Sequence, residues 1–206
     1  MYRNYLKPLF DFIGALLLLP IVLLVVVVFA PIIWLTDGGP VIYMAPRTGQ
    51  WCRQFKMLKL RTMYVNAPDL RNADGSTYNA DNDSRVTPIG RFLRKTSLDE
   101  VPQIINVILG RMSFVGPRPT MGRNDINYDQ LDGDFKNRFT VKPGITGYSQ
   151  AYFRNSIPQD QKFHWDAYYA NHVGLWLDAK ILFRTVFSVI REKNINTQNN
   201  YHNNND

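Results

Sequence analysis

FIGALLLLPIVLLVVVVFAPIIWLT, residues 12–36, carries no charged side chain, and its reading decides how the rest of the chain is disposed. Coiled as a helix it is about 37 Å long at 1.5 Å per residue. That exceeds a bilayer hydrocarbon core of roughly 30 Å, so membrane insertion is expected. The stretch is too long for a signal-peptide core, and no small-residue cleavage site follows it. Pro20 and Pro31 lie inside it. A mid-helix proline removes one backbone hydrogen bond and crowds the carbonyl four residues back, so a kink is expected at Pro20. Arg3 and Lys7 precede the stretch, and Arg47, Arg53, Lys56, Lys59 and Arg61 follow it. Basic residues favour the cytoplasmic side. A single span cannot put both flanks there, whereas a re-entrant helix that bends near Pro20 and leaves by the same face can.

Asp37-Gly38-Gly39-Pro40 ends the segment as a turn. Beyond it, Val41–Met44 and Arg53–Met63 read as strands. Residues 66–84 are rich in Asn, Asp, Gly and Ser and read as a mobile loop. Leu98–Leu109 carries a helical stripe of Leu98, Val101, Ile104, Ile105 and Ile108. Residues 165–191 hold one or two helices, with Leu177, Ile181, Leu182, Val186, Val189 and Ile190 on one side. Core packing is the expectation for that stripe, with interfacial membrane contact as the alternative. The fold class is therefore mixed α/β and helix-rich. Its expected parts are a membrane-inserted helix (1–38), one small cytoplasmic catalytic domain (39–192) and a disordered asparagine-rich tail (193–206).

Charge narrows the partners. The net charge of +7 favours anionic ligands or anionic lipid. The single cysteine, Cys52, excludes an intrachain disulfide. His164, His172 and His202 form no metal-ligand pattern. No Walker loop, G-x-G-x-x-G run, helix-turn-helix, zinc or RNA-recognition signature is present, so nucleic acid is not an expected partner.

The residues that bear chemistry lie in RFLRKTSLDEVPQIINVILGRMSFVGPRP, residues 91–119. Ser97 and Glu100 have capping-box spacing, and Pro102 belongs near a helix start. This places Asp99 and Glu100 in a first helical turn, whose unpaired N–H groups favour carboxylates and bind phosphate. Arg91, Arg94 and Lys95 stand beside them. Acids at a helix start are commonly plain caps. Neighbouring residues also diverge by about 100° around a helix, so the spacing leaves open which acid is nucleophile or metal ligand and which supports it. Gly116-Pro117-Arg118-Pro119 is a rigid loop presenting an arginine, whose planar fork suits phosphate. Lys59 and Arg61 alternate along the expected strand, so both side chains should point the same way. Pro143–Gly147 reads as another tight turn.

From Met1 to about Arg191 the chain resembles the bacterial sugar transferase family, the small monotopic phosphoglycosyl transferases. The resemblance rests on Lys7 and Asp11, Lys59–Met63 (KLRTM), Arg94–Gln103 (RKTSLDEVPQ), Met112–Pro119 (MSFVGPRP) and Lys142–Gly147 (KPGITG). It implies that Asp99 is the nucleophile on the β-phosphate of a UDP-sugar. A covalent phosphosugar–aspartate forms, UMP leaves, and undecaprenyl phosphate or a similar polyprenyl phosphate takes the sugar phosphate, starting glycan assembly. Glu100 is the paired acid. Arg94 and Arg118 are implied to hold phosphate or nucleotide, with Lys59 and Arg61 supporting the site. Mg2+, with Asp99 as its protein contact, is the implied cofactor. The implied location is the cytoplasmic face of the bacterial inner membrane, with a homo-oligomer left open. The length, without further spanning helices, resembles the minimal catalytic form. Three departures stand out. Leu19-Pro20 lies about one turn before the family's usual Ser-Pro break, Arg111 replaces a usual acid, and residues 66–84 follow no family pattern. A non-catalytic membrane scaffold subunit is the rival reading; it leaves Asp99, Glu100 and Arg118 without a purpose. A hydrolase using the same acids would release free sugar phosphate without lipid.

Overall fold

A computed structural model describes residues 1–70, 78, 82–122, 126–154 and 156–190, with the side chains of 189 and 190 left aside. The 66–84 loop falls largely, and the 193–206 tail wholly, outside these residues.

After a π-helical lead-in at Tyr2–Leu6, α1 runs from Lys7 to Asp37 and passes through Pro20 and Pro31 as one helical element. It ends where the sequence provides a left-handed cap: Gly38 has φ 71°, and its N–H donates to the Trp34 carbonyl at 2.7 Å. The helix is apolar all round, yet the structure uses only one stripe of it for packing. Lys7, Asp11, Ala15, Val22 and Ile33 are buried, while Leu17, Leu24, Val27 and Leu35 stand out. Asp11, Val22 and Ile33 are spaced by whole sets of three turns, which keeps them on one line of a 3.6-residue helix.

That stripe organises two cores. Ala15 and Val22 pack with Ala45, Met57, Ile104, Val107 and Met112. Ile33 packs with Leu60 and Leu93. The partners come from the antiparallel hairpin β1 (Ile42–Thr48) and β2 (Gln54–Leu60), and from α2 (Pro88–Thr96) and α3 (Gln103–Ile108). Further along the chain are β3 (Ser113–Val115), β4 (Thr120–Met121), α4 (Gly133–Asn137), β5 (Gly144–Thr146), α5 (Tyr148–Tyr152), α6 (Gln159–Asn171) and α7 (Leu175–Ile190). Strand β4 pairs with β1.

Residues 143–147 do not form the expected tight turn. Gly144–Thr146 is strand β5, parallel to β3. The glycines serve close backbone approach instead. A Cβ on Gly144 would sit 2.1 Å from the Gly116 nitrogen, and one on Gly116 would sit 2.3 Å from the Lys142 carbonyl oxygen. No side chain fits between the two strands at this crossing.

Both ends of α1 are tied to the remainder of the chain. At its start, the Lys7 ammonium donates to Asp178 Oδ2 at 2.7 Å, as does the Tyr2 hydroxyl, and Tyr169 Oη meets Asp178 Oδ1 at 2.7 Å. Asp11 accepts from the Phe114 N–H at 3.2 Å. At its end, Arg61 donates to the Ile33 carbonyl at 3.2 Å and pairs with Asp37, whose other oxygen accepts from Val65 N–H at 2.8 Å.

The stripe expected on the last helices divides between two faces of α7. Ile181 is fully buried and Leu177 packs against the same core. Leu182 and Val186 lie exposed, beside Trp176 at 81% and Phe183 at 76% exposure. Core packing therefore accounts for two of its four described members, Val189 and Ile190 lying outside the described side chains. Helical spacing groups apolar residues, but the neighbours decide which of two adjacent apolar lines is covered.

Because the Lys7–Asp178 pair is buried, removing one partner strands a charge. Lys7→Ala should cost roughly 3–5 kcal/mol of unfolding free energy in detergent. A loss under about 1 kcal/mol would show that the pair does not hold α1 in place.

Candidate active site

The site is assembled from three segments that meet beside α3. Helix α2 is capped at its start by Thr87, whose hydroxyl accepts from Gly90 N–H at 2.9 Å. It ends at Ser97, which takes a left-handed conformation (φ 58°) and returns its N–H to the Arg94 carbonyl at 3.2 Å. A side chain in that region costs about 1–2 kcal/mol. The reversal turns the chain into a 3-10 turn at Leu98–Glu100.

This corrects the sequence reading of the acids. The Ser97 side chain does not cap the 3-10 turn after it, so there is no capping box, and α3 begins only at Gln103 with Pro102 as its N-cap. Asp99 and Glu100 stand on a separate turn between two helices. The physical reason is that α2 continues through Thr96 and claims Ser97 as its C-cap.

The tight turn brings the two carboxylates to one cation. Lys59 Nζ, from β2, lies 2.7 Å from Glu100 Oε1 and 3.4 Å from Asp99 Oδ2. Arg118 Nη2, from the loop after β3, lies 3.7 Å from Glu100 Oε1, with its side chain 57% exposed. Arg94 lies within electrostatic reach of Asp99, and its Nε donates to Thr62 Oγ1 at 3.0 Å. Lys59, Arg94 and Arg118 thus converge on the acids.

Arg61 does not. Strand β2 stops at Leu60, so the alternation does not carry past it, and the Arg61 guanidinium turns to the C-terminal end of α1. A cation is favourable there, against the helix's terminal carbonyls. Arg111 is exposed after α3, and its N–H donates to the Asn106 carbonyl at 3.0 Å.

The two carboxyls differ in state. Burial raises the Asp99 carboxyl above the usual range, and the neighbouring Glu100 charge adds to this; Lys59 and Arg94 offset it in part. Burial also opposes ionisation of Glu100, but Lys59, Arg118 and the Gln103 side chain outweigh it and hold that carboxyl at about 2. Protonation of Asp99 is therefore easier than that of an ordinary aspartate, while its neighbour stays charged.

Asn106 sets where Lys59 stands. Fully buried on α3, its amide accepts from Leu58 N–H at 2.9 Å and donates to the Lys56 carbonyl at 2.9 Å, so the side chain acts as a strand partner for the outer edge of β2. Sequence reading assigned no role to Gln103, Asn106 or Thr62. Buried amides and hydroxyls in a helical stripe carry no periodic signal of their own.

Among the described residues, no group of three or more His, Cys, Asp and Glu side chains could enclose a metal ion. Asp99, with Glu100 beside it, still suits a magnesium ion bound mainly by substrate phosphates, because that ion commonly takes one or two carboxylates from the protein.

The model of the bacterial sugar transferase family matches residues 2–192. A UDP-galactose-lipid carrier transferase of Erwinia amylovora is 38% identical over 91% of this chain and 41% of its own length. A UDP-glucose:undecaprenyl-phosphate glucose-1-phosphate transferase of Escherichia coli is 38% identical over 90% of this chain and 40% of its own. The chain thus spans well under half of these relatives. An uncharacterized sugar transferase of Bacillus subtilis, EpsL, is 36% identical over 94% of this chain and 92% of its own length.

The shared cation gives a direct spectroscopic expectation. With 13C-labelled carboxylates, Glu100 should still be ionised at about pH 4, close to the ordinary glutamate value of about 4.3. Lys59→Met removes the nearest positive charge, which favours the neutral acid, so the Glu100 midpoint should rise. An unmoved midpoint would show that Lys59 does not set this charge state.

Proposed function

The chain belongs to the bacterial sugar transferase family, and on that premise we propose that it transfers a sugar 1-phosphate from a UDP-sugar to undecaprenyl phosphate or a related polyprenyl phosphate. The observation that carries this reading is the pair Asp99 and Glu100 sharing Lys59, with Arg118 solvent-facing at their edge. A buried carboxylate among three cations is suited to attack a phosphate that brings its own negative charge.

An Asp99 oxygen attacks the β-phosphorus of the donor. The new O–P bond replaces the bond to the bridging oxygen, whose electrons leave with UMP. A phosphate oxygen of the lipid then attacks the same phosphorus, freeing Asp99 and forming the sugar diphospholipid. Dividing the transfer in two gives each half an in-line displacement at one phosphorus. Glu100, held at about 2, is no proton donor near neutral pH. Its role is to hold the Lys59 ammonium in place, and UMP needs no proton to depart. Lys59, Arg94 and Arg118 supply positive charge to the phosphoryl oxygens as that charge develops. Magnesium, held by Asp99, would neutralise the donor diphosphate when bound.

The membrane side of the proposal is a re-entrant α1 with the catalytic residues on the cytoplasmic face. It is supported by the basic residues on both flanks and by the ties from both ends of α1 to the same body. Trp176 and Phe183 add exposed apolar surface on α7, the helix whose Asp178 holds Lys7. A reporter fused to the N-terminus should therefore read as cytoplasmic; a periplasmic signal would rule the re-entrant path out.

Incubation with magnesium and a panel of UDP-sugars, without lipid, should add the mass of one phosphosugar to the intact protein, and Asp99→Asn should abolish it. Absence of any adduct, together with absence of UMP release when undecaprenyl phosphate is supplied, would overturn the transferase reading.

Because attack requires ionised Asp99, kcat/KM should fall on acidification with a midpoint above the ordinary aspartate value of about 3.9. A midpoint at or below that value would assign the nucleophile elsewhere.

A further inference from the structure

Arg118 is the most solvent-facing cation of the site, and what fixes it is buried on the far side of its own backbone. Pro117 and Pro119 restrict the loop locally. Each proline locks its own φ, and Pro119 holds the residue before it in extended backbone. The Gly144 N–H donates to the Pro117 carbonyl at 3.0 Å. The Arg118 carbonyl points inward and accepts from Arg138 Nη2 at 2.7 Å.

Arg138 is an unusual donor to find there. It is 3% exposed and lies one turn ahead of the Lys142–Gly147 motif. The same Nη2 pairs with Asp166 Oδ2 at 2.7 Å, and Asp166 Oδ1 accepts from the Ser149 hydroxyl at 2.6 Å. Asp166 and Ser149 are likewise buried. The guanidinium carbon lies 4.7 Å from the Phe163 ring centre, so part of the cation is met by an aromatic face. Its Nε and Nη1 have no hydrogen-bond partner among the described residues.

A buried ion pair selected only for stability would not leave two donors unmatched, because well-packed apolar residues fill such a space at least as well. What Arg138 provides that an apolar side chain cannot is a charged donor to one particular carbonyl. We propose that Arg138, set by Asp166 and Ser149, is a positioning residue that orients Arg118 toward the phosphate of the donor. The inference rests on the transferase reading above.

The test is a double-mutant cycle on the full chain, with UMP release as the assay. Arg138→Met/Asp166→Leu removes both buried charges together, which avoids stranding either one. Folding is checked by thermal melting. The folded variant should lose about 10- to 100-fold in kcat/KM, the scale of a misplaced substrate-holding group. The loss should fall in the same parameter, KM or kcat, as that of Arg118→Ala. In an Arg118→Ala background the pair should cost less than about twofold more. Full activity in the folded variant, a loss in the other parameter, or additive costs would overturn the proposal. If the pair does not fold, Arg138→Lys keeps the charge beside Asp166 but is too short to reach both oxygens, and it supplies the same cycle. Unaltered protein that releases no UMP from any donor would instead sink the underlying reaction reading.

Discussion

Helix α1 must satisfy two environments at once, and the rest of the structure is arranged around that requirement. Nearly every side chain from Phe12 to Thr36 is apolar, yet only one line of them, through Ala15, Val22 and Ile33, meets the protein. The remainder stands exposed. A helix with no polar face gives its partners no chemical cue to the correct rotation. Shape and the polar ends supply it. Ala15 is small enough for close approach, and Gly14 lies so near Phe114 that an added Cβ would come within 3.0 Å of the ring. Lys7 and Asp11 at one end, through buried polar contacts, and Asp37 at the other, through an ion pair at the surface, then fix rotation and height. The buried Lys7–Asp178 pair is expensive to desolvate and costly to break, which favours a single docking geometry over many.

From that docking comes the position of Lys59 and the two acids. The hairpin that carries Lys59 packs on α1 through Ala45 and Met57, and α3 packs beside it through Ile104 and Val107. Asn106 joins the two by pairing with the free edge of β2. Strand edges are usually closed by another strand. Here one amide does so, and the short distance it spans sets the height of Lys59 against the turn that holds Asp99 and Glu100. Two neighbouring carboxylates would ordinarily repel. Sharing one ammonium divides their behaviour, with the closer acid staying charged and the other moved toward neutrality.

The same economy of backbone appears on the other side of the site. Parallel strands β3 and β5 cross at glycines because the chain comes too close there for any side chain. That closeness carries the Gly116–Pro119 loop against the interior, where Arg138 reaches the Arg118 carbonyl. Motifs that read as separate turns along the chain are thus two faces of one packed contact.

The long apolar helix, its glycine stop, the hairpin strands, the mixed helix-rich class and the acids with their cations Lys59, Arg94 and Arg118 were all legible in the amino-acid order. Each of these is written locally, in hydropathy, in a turn residue or in a charged motif. The other features needed tertiary contacts. Arg61 left the site because a helix end outside its own segment offered it carbonyls and Asp37. Ser97 became a C-cap because α2 runs through Thr96. The α7 stripe was divided because only one of its two apolar lines faced Tyr169 and Val115. Asn106 and Arg138 acquired their roles from partners many residues away. A local pattern records what a residue can do, and the fold decides which neighbour it does it with.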